Sequence, residues 1–294
     1  MSKPAVLARI GSRVVGTYLD SSPIERGKTR LRRAASLFLV ARLDTGPWVR
    51  VSGVSEFEWQ ILGRRFKEAN TIRLLSVLLR PGMTAVDLGA NIGYFSLTAA
   101  GIVGPTGQVH AIEPTPSTVS RLRENIALNG FHNVTAHQLA LSDDDGSIRL
   151  HLSGDDCEEN SLFATGPGDE SIEVDATTLD RFADRQGLRR IDLLKVDVEG
   201  AEVRVLRGGR RVLGGAVAPA LIIEVNPPAL RAAGSDPAEL YGQLDALGYA
   251  WRVVERMPWK GEVTLNLVAF KGYHGEFFGR FNESLSSLTT PGPP

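Results

Sequence analysis

From Met83 onward the chain alternates short apolar runs with amphipathic stretches, and that alternation restricts it to few architectures. "TAVDLG", "QVHAIEP", "NVTAHQLAL", "IDLLKVDV" and "ALIIEVNP" read as five successive strands. "TPSTVSRLRENIALNG" reads as a helix, with Thr115 as N-cap, Pro116 in its first position and Gly130 as its stop. "DPAELYGQLDALG" reads as another. Repeated βαβ units build a mostly parallel sheet covered on both faces, so the predicted class is α/β. The end differs. "YAWRVVER" and "TLNLVAFK" are joined by little more than "MPWKGEV", too short for a crossover helix, so this pair is predicted antiparallel. Strands three and four are separated by about 50 residues instead of one helix. Within them, "SIRLHLSG" and "SIEVDATTL" read as two extra strands, and the polar loop between them as a substrate wall or lid.

Residues 1–70 read as an N-terminal extension of helices and a hairpin, a candidate substrate or oligomer element. Its basic run over 21–33 is a solvated face. "SLFLVARLDTGPWVRVSG" places two apolar runs around the turn signal Asp44-Thr45-Gly46-Pro47, a β-hairpin. "EFEWQILGRRF" and "NTIRLLSVLLR" read as amphipathic helices, the second stopped by Pro81-Gly82. A catalytic domain over 71–281 and a disordered, Pro/Gly-rich tail over 282–294 complete the predicted organisation.

Composition narrows the function. A hydrophobic content of 43% over 294 residues supplies an ample core. The formal net charge of −1 gives no electrostatic footprint for nucleic acid. No run approaches the roughly 20 apolar residues of a membrane span, and Arg and Gly interrupt the N-terminal stretch too often for a signal peptide. The single cysteine, Cys157, can form neither an intrachain disulfide nor a zinc site alone. The chain therefore reads as cytoplasmic, without a nucleic-acid or membrane partner.

In "VDLGANIGYFSL" an apolar strand ends at Asp87-Leu88, and Gly89-Ala90-Asn91-Ile92-Gly93 turns into a helix. Glycines admit a ligand close to the backbone, and the helix N-terminus offers free N–H groups. Glu113 ends the second strand 24 residues past Gly89, where an acid in such folds accepts both hydroxyls of a ribose. A dinucleotide fingerprint requires G-x-G-x-x-G. Asn91 stands in place of the second glycine and Asp87 would repel a pyrophosphate, so a nicotinamide cofactor fits poorly. S-adenosylmethionine carries an ammonium and a sulfonium and no phosphate, and an acid-lined turn suits it.

"VDLGANIGYFSL", "IEPTPSTVSRLRENIALNG", "ALSDDDGSIRL", "LLKVDVEGAEVRVLRGG" and "LIIEVNP" together resemble the FkbM family of S-adenosylmethionine-dependent methyltransferases. The resemblance covers about 80–227 and, more loosely, continues to about 272. It implies a class I methyltransferase fold with a seven-stranded, mostly parallel sheet whose last strand is antiparallel. It also implies O-methylation of a sugar, polyketide or other secondary metabolite in a bacterial setting. Carried onto this chain, the donor pocket is Asp87, Gly89, Asn91, Ile92, Gly93, Glu113 and Pro114, with the adenine edge near Ala140, Leu141 and Ser142. Many class I enzymes place an Asp where Ala140 stands, which passes the adenine amine to Ser142 or Asp143.

Ligands of parallel sheets bind at the carboxyl ends of the strands. Asp197 and Glu199 end strand four, and Glu224 and Asn226 end strand five. An alcohol is a poor nucleophile near pH 7, and a carboxylate within hydrogen-bond reach can take its proton. Asp197, Glu224 and Glu199 are therefore the candidate catalytic residues, with His151 next in line. Alternatively, Asp197, Glu224 and Asn226 could hold Mg²⁺ or another hard cation that acidifies the hydroxyl. Structural roles compete: Glu202 as a first-turn helix acid, Glu199 beside the Gly200 turn, Lys195 paired with an acid, and His110 and His137 within strands. The partner expected is a small hydroxylated acceptor, with a homodimer as an alternative to a monomer. Two rival functions are a non-catalytic nucleoside-binding scaffold and a methyltransferase acting on a macromolecule. An N-methylating "[DN]PP[YF]" motif is missing.

Overall fold

The computed structural model describes residues 40–51, 58, 61, 68–152, 170–259 and 262–274. The predicted helix over 56–66, the lid loop, Cys157 and the tail lie wholly or largely outside the described residues. The remaining elements follow the predicted alternation. A hairpin of β1 (Val40–Arg42) and β2 (Trp48–Arg50) precedes helix α1 (Ala69–Leu78). Then come β3 (Thr84–Leu88), α2 (Tyr94–Val103), β4 (Gln108–Ile112), α3 (Pro116–Leu128) and β5 (Val134–His137). The insertion supplies β6 (Ala140–Ser142), β7 (Gly146–Leu152) and β8 (Glu170–Thr178), followed by α4 (Leu179–Arg185). The chain returns through β9 (Leu193–Val196), α5 (Glu202–Gly208), α6 (Arg210–Gly214), β10 (Ala220–Val225), α7 (Pro227–Ala232) and α8 (Pro237–Ala246). The antiparallel pair β11 (Ala250–Trp259) and β12 (Glu262–Phe270) follows.

Seven strands form one sheet in the order β11-β12-β10-β9-β3-β4-β5. β10, β9, β3, β4 and β5 are mutually parallel, and β12 runs antiparallel to β10. β3 and β9 are buried almost throughout because helices cover both sheet faces. The pleat divides them. Ala85, Leu193 and Ile222 pack into one core with Leu97 and Leu122, while Val86, Leu194 and Ile223 pack into the other with Leu179 and Leu206. By the same period of two, Asp87, Lys195 and Glu224 lie on the first of these faces.

The third predicted strand, read as continuous through Leu141, divides. Val134–His137 stays at the edge of the main sheet, whereas Ala140–Ser142 leaves it and pairs with β8. Among the described residues no further strand lies beyond β5, and after Gln138-Leu139 the chain departs into a separate three-stranded sheet, order β6-β8-β7. Both predicted inserted strands are present, and they pair with each other antiparallel.

The N-terminal hairpin is stitched to α3 by two asparagines. Asn129 accepts from the Trp48 N–H at 2.7 Å and returns its amide to the Trp48 carbonyl at 2.7 Å. Asn125 accepts from the Arg50 N–H at 2.7 Å and donates to the Ile92 carbonyl at 2.9 Å. Ala41, Leu43, Val49 and Val51 enter the same core as Leu97 and Leu122. Arg121 of α3 also pairs with the buried Glu58.

Asn125 is fully buried, so its truncation leaves groups on both sides unpaired. Asn125→Ala is expected to cost about 1–3 kcal/mol, read as a lowered midpoint in urea unfolding. An unchanged midpoint would show that the bridge contributes nothing.

Candidate active site

The carboxyl ends of β3, β4, β9 and β10 bring the predicted residues to one end of the sheet. After β3 the turn doubles back: the N–H groups of Gly89 and Ala90 both donate to the Ile112 carbonyl, at 3.0 Å each. Gly89 sits at φ +74° and Asn91 at φ +49°, both left-handed. Sequence reasoning assigns Gly89 to close ligand approach. The structure adds a different reason: a Cβ there would lie 1.8 Å from the Asp197 carbonyl oxygen. Position 89 must be bare so that the ends of β3 and β9 can meet, and the Asp197 N–H closes the contact on the Leu88 carbonyl at 3.2 Å. Gly93 caps α2, and Ile92 is fully buried beneath the turn.

Glu113 reaches back to this turn. One carboxylate oxygen accepts from the Asn91 N–H at 3.1 Å and the other from the Thr115 N–H at 3.0 Å. Burial raises its pKa, and these bonds work against the rise. Thr115 does occupy the N-cap of α3 with Pro116 behind it, but its side chain makes no capping bond. Half-buried Pro114 joins Glu113 to that cap. Asp87 is fully buried. Its Oδ2 accepts from Ser96 Oγ at 2.5 Å, while Oδ1 has no hydrogen-bond partner among the described residues. Burial raises the Asp87 pKa against the pull of Lys195 and Ser96. An orphaned buried carboxylate oxygen beside a glycine turn fits a cationic ligand group such as the ammonium of S-adenosylmethionine.

Ala140, Leu141 and Ser142 are buried in β6. Ala140 packs with Leu150 and Val174 of the insertion, and the Ser142 carbonyl lies against Gly208 of α5. It is His137, at the end of β5, whose carbonyl accepts from the Glu113 N–H at 3.0 Å. His137 and His110 stack and share a 3.0 Å bond, with Phe182 edge-on, a packed cluster within the strands.

The three acids named as catalytic converge: Asp197, Glu199 and Glu224 each place a carboxylate oxygen within 4.8 Å of the others. The register explains it. Lys195 is opposite Ile222, so the next same-face positions, 197 and 224, fall side by side. Glu224 is in turn opposite Asn266, and Asn266 opposite Glu255. A polar row therefore runs across the sheet end. Burial first, then Asp197 and Glu199, push the Glu224 pKa well above the ordinary carboxylate range, and its Oε2 is buried without a partner among the described residues. Lys195 lies beneath, its Nζ 2.6 Å from Asp197 Oδ2 and 5.7 Å from the centre of the Phe95 ring. Burial opposes its charge, but Asp197, Asp87 and Glu68 outweigh that and raise its pKa.

Glu199 completes the oxygen cluster where the metal reading named Asn226. Asn226 caps α7 by accepting from the Ala229 N–H at 3.3 Å, and its amide donates to Glu199 at 3.4 Å. Three carboxylate oxygens at this separation fit a hard divalent cation, and the Lys195 ammonium is bonded to Asp197 Oδ2. Glu202 begins α5 and accepts from the N–H groups of Val198 and Gly200, at 3.1 and 3.2 Å, the structural role weighed for it. His151 lies in β7 opposite Ser171, outside the acid cluster.

Two acids escaped sequence reasoning. Glu68 precedes α1, and its pKa is pushed up to about 7 by burial, against Lys195, with Asp197, Glu255 and Asp87 adding to the rise. Glu255 accepts from Thr71 Oγ1 at 3.0 Å and from the Thr71 N–H at 3.3 Å at the start of α1. An acid before a helix start is the only trace of Glu68 in the sequence.

The strand order, with β12 antiparallel beside β10 and the glycine turn after β3, defines the class I methyltransferase fold. A family model described as the methyltransferase FkbM domain matches residues 87–250. Methyltransferase sdnD of Sordaria araneosa is 38% identical over 154 residues, 42% of this chain and 59% of that protein. The 2-O-methyltransferase NoeI of Sinorhizobium fredii is 28% identical over 156 residues, 48% of this chain and 63% of that protein. The 31-O-demethyl-FK506 methyltransferase FkbM of Streptomyces tacrolimicus is 32% identical over 198 residues, 57% of this chain and 74% of that protein. The chain belongs to the FkbM family of S-adenosylmethionine-dependent methyltransferases. It spans about three fifths of the length of the first curated relatives that it matches.

Burial raises Glu202 from 4.5 to about 7 in the folded chain. Between those values the folded chain keeps a proton that the unfolded chain releases, so stability is full below 4.5 and falls as pH rises through 7. The loss is at most about 3 kcal/mol, and Glu68 adds to it in the same sense. Urea midpoints should drop from pH 5 to pH 8, and Glu202→Gln, which keeps the accepting oxygen, should flatten that slope.

Proposed function

We propose that this chain transfers a methyl group from S-adenosylmethionine to a hydroxyl of a small molecule, in the class of sugars, polyketides and other secondary metabolites. The observation that carries the reading is the convergence of Asp197, Glu199 and Glu224 at the sheet end, with Asp197 in backbone contact with the donor turn. The names of the relatives NoeI and FkbM, which specify 2-O- and 31-O-methylation, support oxygen as the acceptor atom.

Asp87, Gly89, Asn91, Ile92, Gly93, Glu113 and Pro114 would hold the donor, and Ala140, Leu141 and Ser142 would back its adenine end. Glu113 accepts the ribose hydroxyls once it exchanges its present bonds to the Asn91 and Thr115 N–H groups. The unpartnered oxygen of Asp87 takes the ammonium. The donor supplies an electrophilic methyl on a sulfonium. The acceptor oxygen forms the new O–C bond as the C–S bond breaks with its electron pair on sulfur. A carboxylate of the cluster takes the hydroxyl proton. No helix among the described residues is long and apolar enough to cross a membrane.

Glu113→Ala is expected to weaken donor binding by about 1–3 kcal/mol while the fold survives. Unchanged affinity by calorimetry in a folded variant would remove the pocket assignment.

Asp197→Asn and Glu224→Gln should each slow turnover by about 10²–10⁴-fold with little change in donor affinity. If the two act as one unit, the double variant loses less than the product of the single losses. The close carboxylate oxygens favour a second mechanism in which Asp197, Glu199 and Glu224 hold Mg²⁺. Activity stripped by a chelator and restored by Mg²⁺ selects it, and indifference to the chelator selects a metal-free base.

A further inference from the structure

Among the described residues, the buried side-chain atoms without a hydrogen-bond partner are Asp87 Oδ1, His151 Nδ1, Glu202 Oε2, Glu224 Oε2 and Thr264 Oγ1. Asp87 and Glu224 belong to the donor turn and the acid cluster, Glu202 holds the turn after β9, and His151 stands in the insertion. Thr264 has no such role, and it is only 3% exposed. A buried hydroxyl without a partner is costly. Valine has nearly the same shape, suits a strand equally well and carries no such cost. The hydroxyl at 264 therefore calls for a partner that arrives with a ligand.

Its place in the sheet says where that ligand lies. β12 enters from the catalytic end, and its pairing with β10 runs from Leu265 opposite Val225 through Asn266 opposite Glu224. Thr264 comes one residue earlier, just past the carboxyl end of β10, and the pleat returns it to the face of Asn266 and Glu224. Val268, on the same face of β12, packs into the core that α1 covers. β11 and β12 stay paired out to Trp259 and Glu262, so this hairpin stands beyond β10 as a wall beside the acid cluster. The neighbouring polar groups are already engaged. Asn266 donates to Thr71 Oγ1 at 3.0 Å, Glu255 accepts from that same hydroxyl at 3.0 Å, and Asn226 bonds the Ala229 N–H and Glu199. Thr264 and Glu224 keep unused atoms, at diagonal positions of adjacent strands about 7–8 Å apart. One small polar molecule can bridge that span with a hydrogen bond to each side. We propose that Thr264 is an acceptor-binding residue that sets specificity: its hydroxyl bonds an oxygen next to the one that the acid cluster receives, so the acceptor is a vicinal diol. A threonine hydroxyl both donates and accepts, and so does the second hydroxyl of a diol. The inference rests on the methyl-transfer reading and narrows its acceptor class.

The experiment compares the full wild-type chain with Thr264→Val and Thr264→Ser. The probes are the cis and trans vicinal cyclohexanediols and cyclohexanol, their dissociation constants read by saturation-transfer NMR in the presence of S-adenosylhomocysteine. The wild-type chain should bind at least one diol about tenfold more tightly than cyclohexanol. Thr264→Val should abolish that preference and leave cyclohexanol unaffected, and Thr264→Ser should keep it. Melting temperature supplies a second reading. Thr264→Val should melt at or above the wild-type temperature, because it removes an unpaired hydroxyl and keeps the shape. The proposal is overturned if the wild-type chain binds neither diol, if it binds diol and cyclohexanol alike, or if the preference survives in Thr264→Val. A Thr264→Val chain that melts lower or fails to fold overturns it too, since the hydroxyl then serves the fold. Calorimetric titration of S-adenosylhomocysteine alone separates the two readings. No binding to the wild-type chain removes methyl transfer, whereas binding of S-adenosylhomocysteine without a diol preference removes only the role of Thr264.

Discussion

The carbonyl of Asp197 fills the space that a side chain at position 89 would need. That contact draws the ends of β3 and β9 together, and the rest of the site is arranged around it. On one side the turn from Gly89 to Gly93 is held open by the Ile112 carbonyl and the Glu113 carboxylate. On the other, Asp197 leads into the Glu199-Gly200 turn and on to Glu202. Glycine turn and acid cluster thus share a backbone contact, and neither can shift far without moving the other.

Charge is the second constraint. Lys195 stands among Asp87, Asp197 and Glu68, and burial raises the pKa of Asp87, Glu68 and Glu224. The fold relieves the excess in several ways. Ser96 hydrogen-bonds Asp87, the start of α1 receives Glu255, and backbone N–H groups hold Glu202. What remains, at Asp87, Glu202 and Glu224, are carboxylate oxygens with no hydrogen-bond partner among the described residues. Unpaired acid oxygens of this kind suit a sulfonium or an ammonium better than a phosphate.

Much of this was legible in the sequence because it depends on local signals. The βαβ alternation, the Asp44–Pro47 hairpin, the short link that makes the last pair antiparallel, and the spacing from Gly89 to Glu113 are read within a few dozen residues. Asp197, Glu199 and Glu224 could be named because parallel strands carry their ligands at their carboxyl ends. What stayed hidden depends on partners far along the chain. Thr71 and Glu255 meet across 184 residues, and no periodicity announces which acid will cap α1. Glu68 was missed for the same reason. The split between β5 and β6 was missed because apolar residues continue through Leu141 while their partners change from β4 to β8. The place of Asn226 after β10 gave no sign that its side chain would bond both the Ala229 N–H and Glu199. Periodicity identifies a strand and its faces, but not the neighbour that each face will find.

The asparagines of α3 carry a consequence for recombining this chain with its relatives. Asn125 holds the hairpin with its carbonyl oxygen and the donor turn with its amide, so one side chain spans two regions that look separable on paper. A chimera joined near residue 70 would bring in a hairpin selected against another helix. Asn125 and Asn129 would then face foreign backbone, and a mismatch there would reach the Ile92 carbonyl directly. Replacing the segment between β7 and β8, whose flanking strands pair with each other, would leave both asparagine contacts untouched, whereas replacing the N-terminal hairpin would not.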